Sequence, residues 1–434
     1  MIKMDTILWR LLIWTLGLAT PLLAAVKPRS YLASTVDYVE RAGSLSRMVT
    51  QGLYLYFLII AAIAFVFYWG KEIDMRAEQR RALAFFFLSI ILAAMPTISS
   101  VITGGTLQWT IVGTIGIYSA TYILPVPPLD WWIREVRRML LFIFVYGSLA
   151  AAIIYPEWAR NQAYASESST ALLPIRLFGT ANHANALVPL AVFAWMLGRY
   201  PKCRLAGEVF HGGAILLVMV LAQSKTNWVA VSLLLIVYFS LKIRSLTTGK
   251  KCLIFFALSG ALFLALLYLF EFTHFIERIE GILYDPQMFT LTGRIPLWLM
   301  AINIWMEGLW LGQGLDAWSS EALLDNVGLF GWAAPNAHNQ LLQILSQSGL
   351  MGLIVMLIWG LIFMNIVRNA PQQNRIPHLW LCAFYFLPGV TEVVLQFSIG
   401  PGHTILTWIM ITLTMNMLRV KEKEIAQDCI KGNV

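Results

Sequence analysis

This chain has little charge. Only 12% of its 434 residues are charged, against 59% hydrophobic, a balance that excludes an ordinary soluble domain. Cysteine is also scarce: Cys203, Cys252, Cys382 and Cys429 are the whole set, and their scatter offers no disulfide framework. No pair of histidines has metal-ligand spacing backed by cysteine or carboxylate, and no metal or other cofactor is expected. The sequence also lacks a repeat of clear period, a low-complexity tract and a separate soluble domain.

Long apolar runs fill the space instead. About 20 apolar residues cross the hydrocarbon core of a bilayer. By that measure twelve segments qualify: 7–26, 52–69, 82–101, 108–124, 139–155, 181–198, 206–222, 226–241, 252–270, 349–367, 378–397 and 403–418. The chain is therefore read as an all-α integral membrane protein of about twelve transmembrane helices. Nine lie in 1–270 and three in 349–418, a large loop spans 271–348, and a short tail follows at 419–434. The first segment has Lys3 before it and Ala24-Ala25 after it, as a signal peptide would, but its apolar stretch is long and is read as an uncleaved span.

Lysine and arginine favour cytoplasmic loops. With the N-terminus inside, 21 of the 31 fall on that side, 9 on the other, and Arg10 lies within the first span. Both termini are then cytoplasmic, and the loop 271–348 is extracytoplasmic. All four cysteines fall on or near the cytoplasmic side, where no disulfide forms. The net charge of +8 follows from the same bias, a solvated face against anionic membrane lipid, and calls for no nucleic acid.

Cations on the outer side run against that bias and invite explanation. Lys27, Arg29, Arg41 and Arg47 sit among Asp37 and Glu40 and read as a surface loop or helix. Three others are placed differently. Arg176 lies just before the sixth span, Lys225 in the tight connection Gln223-Ser224-Lys225-Thr226-Asn227, and Arg294 after Thr292-Gly293 at the head of an apolar helical stretch. Cations near the bilayer interface are costly unless paired or given an anionic ligand. Contact with lipid headgroups or local glutamates is one reading. A diphosphate is the other, because arginine offers a bidentate fork, lysine a compact charge and helix starts unpaired N–H groups.

His338 sits in the polar patch Pro335-Asn336-Ala337-His338-Asn339-Gln340. It reads either as a helix-start packing residue or as a proton acceptor, with Asn336 or Asn339 orienting the ring or a substrate. His183, in Asn182-His183-Ala184-Asn185, is a candidate for the same cavity together with Asn185. His211, His274, His378 and His403 have no polar constellation and read as structural. Trp298, Trp305, Trp310, Trp318 and Trp332 fit an interfacial aromatic belt, with Trp298 and Trp332 as candidate sugar contacts. The stretch Glu271 to Leu283 reads as an interfacial helix. Within the spans, Arg10 and Glu392 are the main charges.

Together these residues resemble a family. Gly179-Thr180-Ala181-Asn182-His183-Ala184-Asn185, Ser224-Lys225-Thr226-Asn227-Trp228, Thr292-Gly293-Arg294 through Trp298 to Leu311-Gly312-Gln313-Gly314, and Ala337-His338-Asn339-Gln340-Leu341-Leu342 are similar to motifs of the O-antigen ligase (WaaL) family. That family lies within a superfamily that also holds Wzy polymerases and PglL-type protein O-oligosaccharyltransferases. The resemblance implies a GT-C-type glycosyltransferase at the periplasmic face of the bacterial inner membrane. Its donor would be undecaprenyl diphosphate-linked O-antigen and its acceptor lipid A-core oligosaccharide. It carries a diphosphate-binding role onto Arg294 and an essential-histidine role onto His338. Lys225 departs from the arginine usual there, and Arg176 matches only loosely. Chemical logic adds that one acceptor and no evident carboxylate nucleophile imply inversion. With no Asp-x-Asp in the loop, the cations would do a metal's work.

Other readings stand beside this one. A Wzy polymerase would share the donor chemistry, and a PglL-type enzyme would be expected to add a soluble domain for protein recognition. A lipid-linked sugar transporter or flippase would carry polar groups near mid-span; here the polar constellation gathers at one face.

Overall fold

The computed structural model describes residues 4–26, 44–68, 79–105, 110–161, 173–181, 183–201, 203–243, 294–318, 336–397 and 402–430. These residues form α1 (Met4–Val26), α2 (Ser44–Tyr68), α3 (Gln79–Ile102), α4 (Thr110–Ile123), α5 (Leu129–Ile154), α6 (Ala184–Leu197), α7 (Glu208–Ala222), α8 (Lys225–Ile243), α9 (Arg294–Glu307), α10 (Gln340–Arg368), α11 (Gln372–Phe386) and α12 (Gly402–Ile430). The one sheet among them is a pair of two-residue strands, β1 (Arg160–Asn161) antiparallel to β2 (Arg176–Leu177). The architecture is all-α. Five helices are long and apolar enough to cross a membrane, and four shorter apolar ones accompany them. The predicted ninth span (252–270) and interfacial helix (Glu271 to Leu283) lie outside the described residues.

Helices α6 and α12 form the centre. Helix α6 is apolar or small nearly all round, and every residue of α12 from Gly402 to Met417 is buried, the pattern of helices enclosed by others. His378 of α11 ties this centre together, bridging Tyr200 and Thr414 of α12 at 3.0 and 3.1 Å. Around this pair, α2, α7, α8 and α10 turn large apolar side chains outward. Charges inside the spans are paired, as the cost of burying them demands. Arg10 lies 3.6 Å from Glu135 of α5, which also accepts from Trp14 Nε1 at 2.9 Å and Arg138 Nη1 at 3.3 Å. Arg137, fully buried, forks onto Glu208 and donates to the carbonyls of Ala194 and Cys203. Cys203 and Cys382 are free and buried, and burial pushes the Cys203 thiol up to about 11.

Irregular backbone positions the site. In α5 the stretch Leu140–Tyr146 is a π-helix. Here Thr180 Oγ1 donates to Ile143 O at 2.9 Å, while Ser148 Oγ accepts from Thr180 N at 2.9 Å. The Gly179–Ala181 turn is thereby pinned to α5. Helix α10 starts nine residues before the predicted span and breaks at Gly349 (φ 57°, ψ −157°). The break strands helical carbonyls and N–H groups, which need partners inside a membrane protein. The segment after α9 supplies them. Gln313 N and Gly314 N donate to Ser346 O and Gln347 O at 2.8 and 2.9 Å. Leu350 N and Met351 N donate to Leu309 O and Trp310 O at 2.9 and 3.0 Å. Leu315 N also donates to Ser100 Oγ at 2.7 Å, so the loop is fastened to α3 and α10 together.

The predicted eleventh span also differs. Helix α11 stops at Phe386, and 387–397 forms a 3-10 turn followed by irregular backbone. Pro388 and Gly389 explain the stop, since proline cannot continue the hydrogen-bond ladder and glycine weakens it. Side chains satisfy the freed backbone. Asn339 Nδ2 donates to Val390 O at 2.9 Å, Gln340 Oε1 accepts from Leu395 N at 2.7 Å, Tyr385 Oη donates to Val394 O at 2.8 Å, and Thr114 Oγ1 donates to Phe397 O at 2.8 Å.

Candidate functional site

The unwound stretch after α11 delivers Glu392, with its side chain only 8% exposed, to one end of the bundle. Three polar groups converge on it. Arg294 Nη2, from the first residue of α9, donates to Oε1 at 2.9 Å. Asn185 Nδ2, from the first turn of α6, donates to the same oxygen at 2.7 Å. His338 Nδ1 lies 3.2 Å from Oε2.

Asn185 extends the network. Its Oδ1 accepts from Arg176 Nη2 at 3.2 Å and from Ser224 Oγ at 2.8 Å. These partners fix the amide orientation, since a carboxylate requires the NH₂ end and a guanidinium the oxygen. Arg176 Nε donates to Ala222 O at 3.1 Å, and Asn227 Nδ2 to Ser224 Oγ at 2.7 Å. Gln223, in left-handed conformation (φ 48°), clamps the segment before β2: it accepts from Leu173 N and donates to the carbonyls of Leu173 and Ile175. Lys225 opens α8 beside Ser224, within electrostatic range of Arg176.

His338 has an unusual backbone. Its φ is +47°, a left-handed conformation uncommon for residues other than glycine and worth a structural explanation. Asn336 Oδ1 accepts from His338 N at 2.9 Å, and Gln343 Oε1 accepts from Ala337 N at 2.7 Å. Asn339 caps α10, its Oδ1 accepting from Leu342 N at 3.0 Å. The His338 side chain is 21% exposed.

Electrostatics favour an anion here. Helices α6, α8, α9 and α10 all begin at this cluster, and helix starts carry partial positive charge and N–H groups. Arg294 pairs with Glu392, Arg176 reaches the same network through Asn185, and Lys225 lies within electrostatic range of Arg176, so three cations accompany one carboxylate among the described residues of the network. The cluster thus has an excess of positive charge that a diphosphate would offset.

The structure brings Arg294, Arg176, Asn185 and His338 into one hydrogen-bonded network, with Lys225 alongside. His183 caps α6, accepting from Asn185 N at 3.1 Å on Nδ1 and stacking on Phe178. Asn336 and Asn339 shape the backbone around His338 rather than contacting Glu392 in the bonds described. Trp298 lies on α9, its Nε1 buried without a hydrogen-bond partner among the described residues. Trp318 packs inward, donating to Ser346 Oγ at 3.1 Å, while Trp310 is exposed. Trp332, Asn182, Gly293, His274, Lys27, Arg29 and Arg41 lie outside the described residues.

Two site residues were not legible as such. Glu392 stood out only as a charge inside an apolar segment, though such a residue is a functional hypothesis in its own right. His403, read as structural, lies in the first turn of α12 near enough to Glu392 to feel its charge.

Residues 212–357 match the family model described as O-antigen ligase. The match covers about a third of the chain, and it agrees with the resemblance read from the sequence fragments. It takes in Lys225, Arg294 and His338 and leaves out Arg176, Asn185 and Glu392. The chain is thus similar to a glycosyltransferase-like family of O-antigen assembly. No curated protein matches it.

Proposed function

We propose that this protein is an O-antigen ligase, transferring a whole glycan from undecaprenyl diphosphate to a sugar hydroxyl of lipid A-core. The observation that carries this reading is the convergence of Arg176, Lys225 and Arg294 with His338 at helix starts on one end of an apolar bundle. Arg294, Arg176 and Lys225 hold the diphosphate and stabilise its charge as it leaves. His338 takes the acceptor proton, an effect of roughly 10²–10⁴-fold where general base catalysis operates.

In the reaction the acceptor oxygen forms a bond to the anomeric carbon as the carbon–oxygen bond to the diphosphate breaks. The electron pair departs with the diphosphate, the proton passes to His338, and the configuration inverts. No metal takes part. The protein is of GT-C type, with twelve spans, both termini in the cytoplasm and the site on the periplasmic face of the inner membrane. The charge bias of the loops and the one-sided polar cluster support that placement.

The experiment is transfer by the purified protein from a lipid-diphosphate glycan to lipid A-core, with a second lipid-linked glycan as competing acceptor. Wild-type protein should glycosylate lipid A-core, and His338→Ala should abolish transfer while remaining folded. Preference for the second lipid-linked glycan would make the protein a Wzy-type polymerase. Near-normal turnover by His338→Ala would return the histidine to a structural role.

A further inference from the structure

Glu392 has geometry that the transfer reaction above does not use. Its carboxylate has two distinguishable ends. Oε1 is occupied by two donors, Arg294 Nη2 and Asn185 Nδ2, and Oε2 faces His338 Nδ1. A carboxylate accepts but does not donate when ionised, and the paired arginine favours that ionised form. His338 therefore meets it with an Nδ1–H, and the lone pair of the neutral ring sits on Nε2.

From this we infer that Glu392 is a positioning residue: it fixes His338 in the Nδ1–H tautomer and orients the ring, so that Nε2 receives the acceptor proton. The inference rests on the ligase reading for its catalytic consequence, though not for the tautomer itself. Once Nε2 binds the proton, Glu392 stabilises the resulting imidazolium through the same contact. The carboxylate stays ionised throughout, and no proton needs to pass to it.

The fold around Glu392 supports such a role. The chain gives up helical hydrogen bonds after Phe386 to bring this side chain in, and Asn339 and Gln340, the residues immediately after His338, hold the unwound stretch at Val390 and Leu395. The same short stretch thus sets imidazole and carboxylate against each other. Through Oε1 the carboxylate also ties His338 to Arg294 and, by way of Asn185, to Arg176.

Glu392→Gln separates this role from simple packing. Glutamine has one oxygen and one NH₂. The two donors at Oε1 claim the oxygen, which turns the NH₂ toward His338 and makes Nδ1 an acceptor. The proton then moves to Nε2, where it blocks the base. The test uses full-length protein in lipid bilayers, labelled with ¹⁵N-histidine, with His338→Asn to assign the signal by solid-state NMR. Wild-type protein should show His338 as Nδ1–H, and Glu392→Gln should switch it to Nε2–H. His211 and His378, which have their own partners elsewhere, should keep their signals and report an intact fold.

In the transfer assay, Glu392→Gln should lower kcat on the order of 10²–10⁴-fold, the range of general base catalysis, with the donor KM within about threefold. Glu392→Asp keeps the charge and should recover at least about tenfold over the glutamine variant. An Nδ1–H tautomer retained in Glu392→Gln, or a kcat within about threefold of wild type, overturns the inference. A tautomer switch in a protein whose wild type transfers no glycan upholds the positioning role and defeats the ligase reading.

Discussion

Replacing Gly349 with alanine should loosen the loop that follows α9, the helix that Arg294 opens. The backbone at Gly349 has φ 57° and ψ −157°, a region open essentially to glycine alone, and forcing another residue into it costs about 1–3 kcal/mol. A Cβ there would also lie 2.4 Å from Trp310 C, 2.5 Å from Trp310 O and 2.6 Å from Leu311 N. All three are backbone atoms, so no side-chain rotation relieves the clash. The loop has to back away, weakening the bonds from Leu350 N to Leu309 O and Met351 N to Trp310 O, worth about 1 kcal/mol each. Together these effects amount to about 3–5 kcal/mol. The same helix contains a control. A Cβ on Gly360 meets nothing within 4 Å, so Gly360→Ala should be neutral or gain up to about 1 kcal/mol from helix propensity. Thermal unfolding in lipid nanodiscs, followed by tryptophan fluorescence, should separate the two variants by several degrees. Glycan transfer should also fall in Gly349→Ala, because the displaced loop follows directly from α9. Equal melting temperatures for the two variants would refute the reasoning, since only one position has a strained backbone and a blocked Cβ.

Three further predictions concern the site. In steady-state transfer, Arg294→Ala should lose about 10²–10³-fold in kcat, as for a lost transition-state donor, and Arg294→Lys distinctly less, because charge survives without the fork; equal losses would show that the charge retained by lysine contributes nothing. Lys225→Arg should retain activity; inactivation by Lys225→Arg alongside an active Lys225→Ala would remove Lys225 from the diphosphate. Turnover should persist in excess EDTA, and activity lost in chelator and restored by magnesium or manganese would defeat the cation clamp.

Much of the fold follows from composition. Apolar runs of span length require helices, because a backbone in lipid must satisfy its own hydrogen bonds, and described helices overlap every predicted segment except 252–270. Arg294, His338, Arg176 and Lys225 could be picked out because a polar residue at the edge of an apolar run stands out against its neighbours. The breaks were less legible. Pro388-Gly389 marked a weak point, but nothing local said that the chain would stay non-helical to Phe397, since the partners of that stretch lie on α4, α10, α11 and α12. Gly349 likewise looks ordinary until the loop from Leu309 to Gly314 is placed against it.

Hydropathy and charge are local properties summed along the chain, so the apolar surroundings, the helices and the polar residues out of place can be read from the order of residues. Which of those polar residues meet depends on the packing. Asn185, Arg294, His338 and Glu392 are separated by dozens to hundreds of positions, and no periodicity relates them. Their common point is set by where helices end and how broken backbone finds its hydrogen-bond partners, and those are contacts between elements that a linear pattern does not contain.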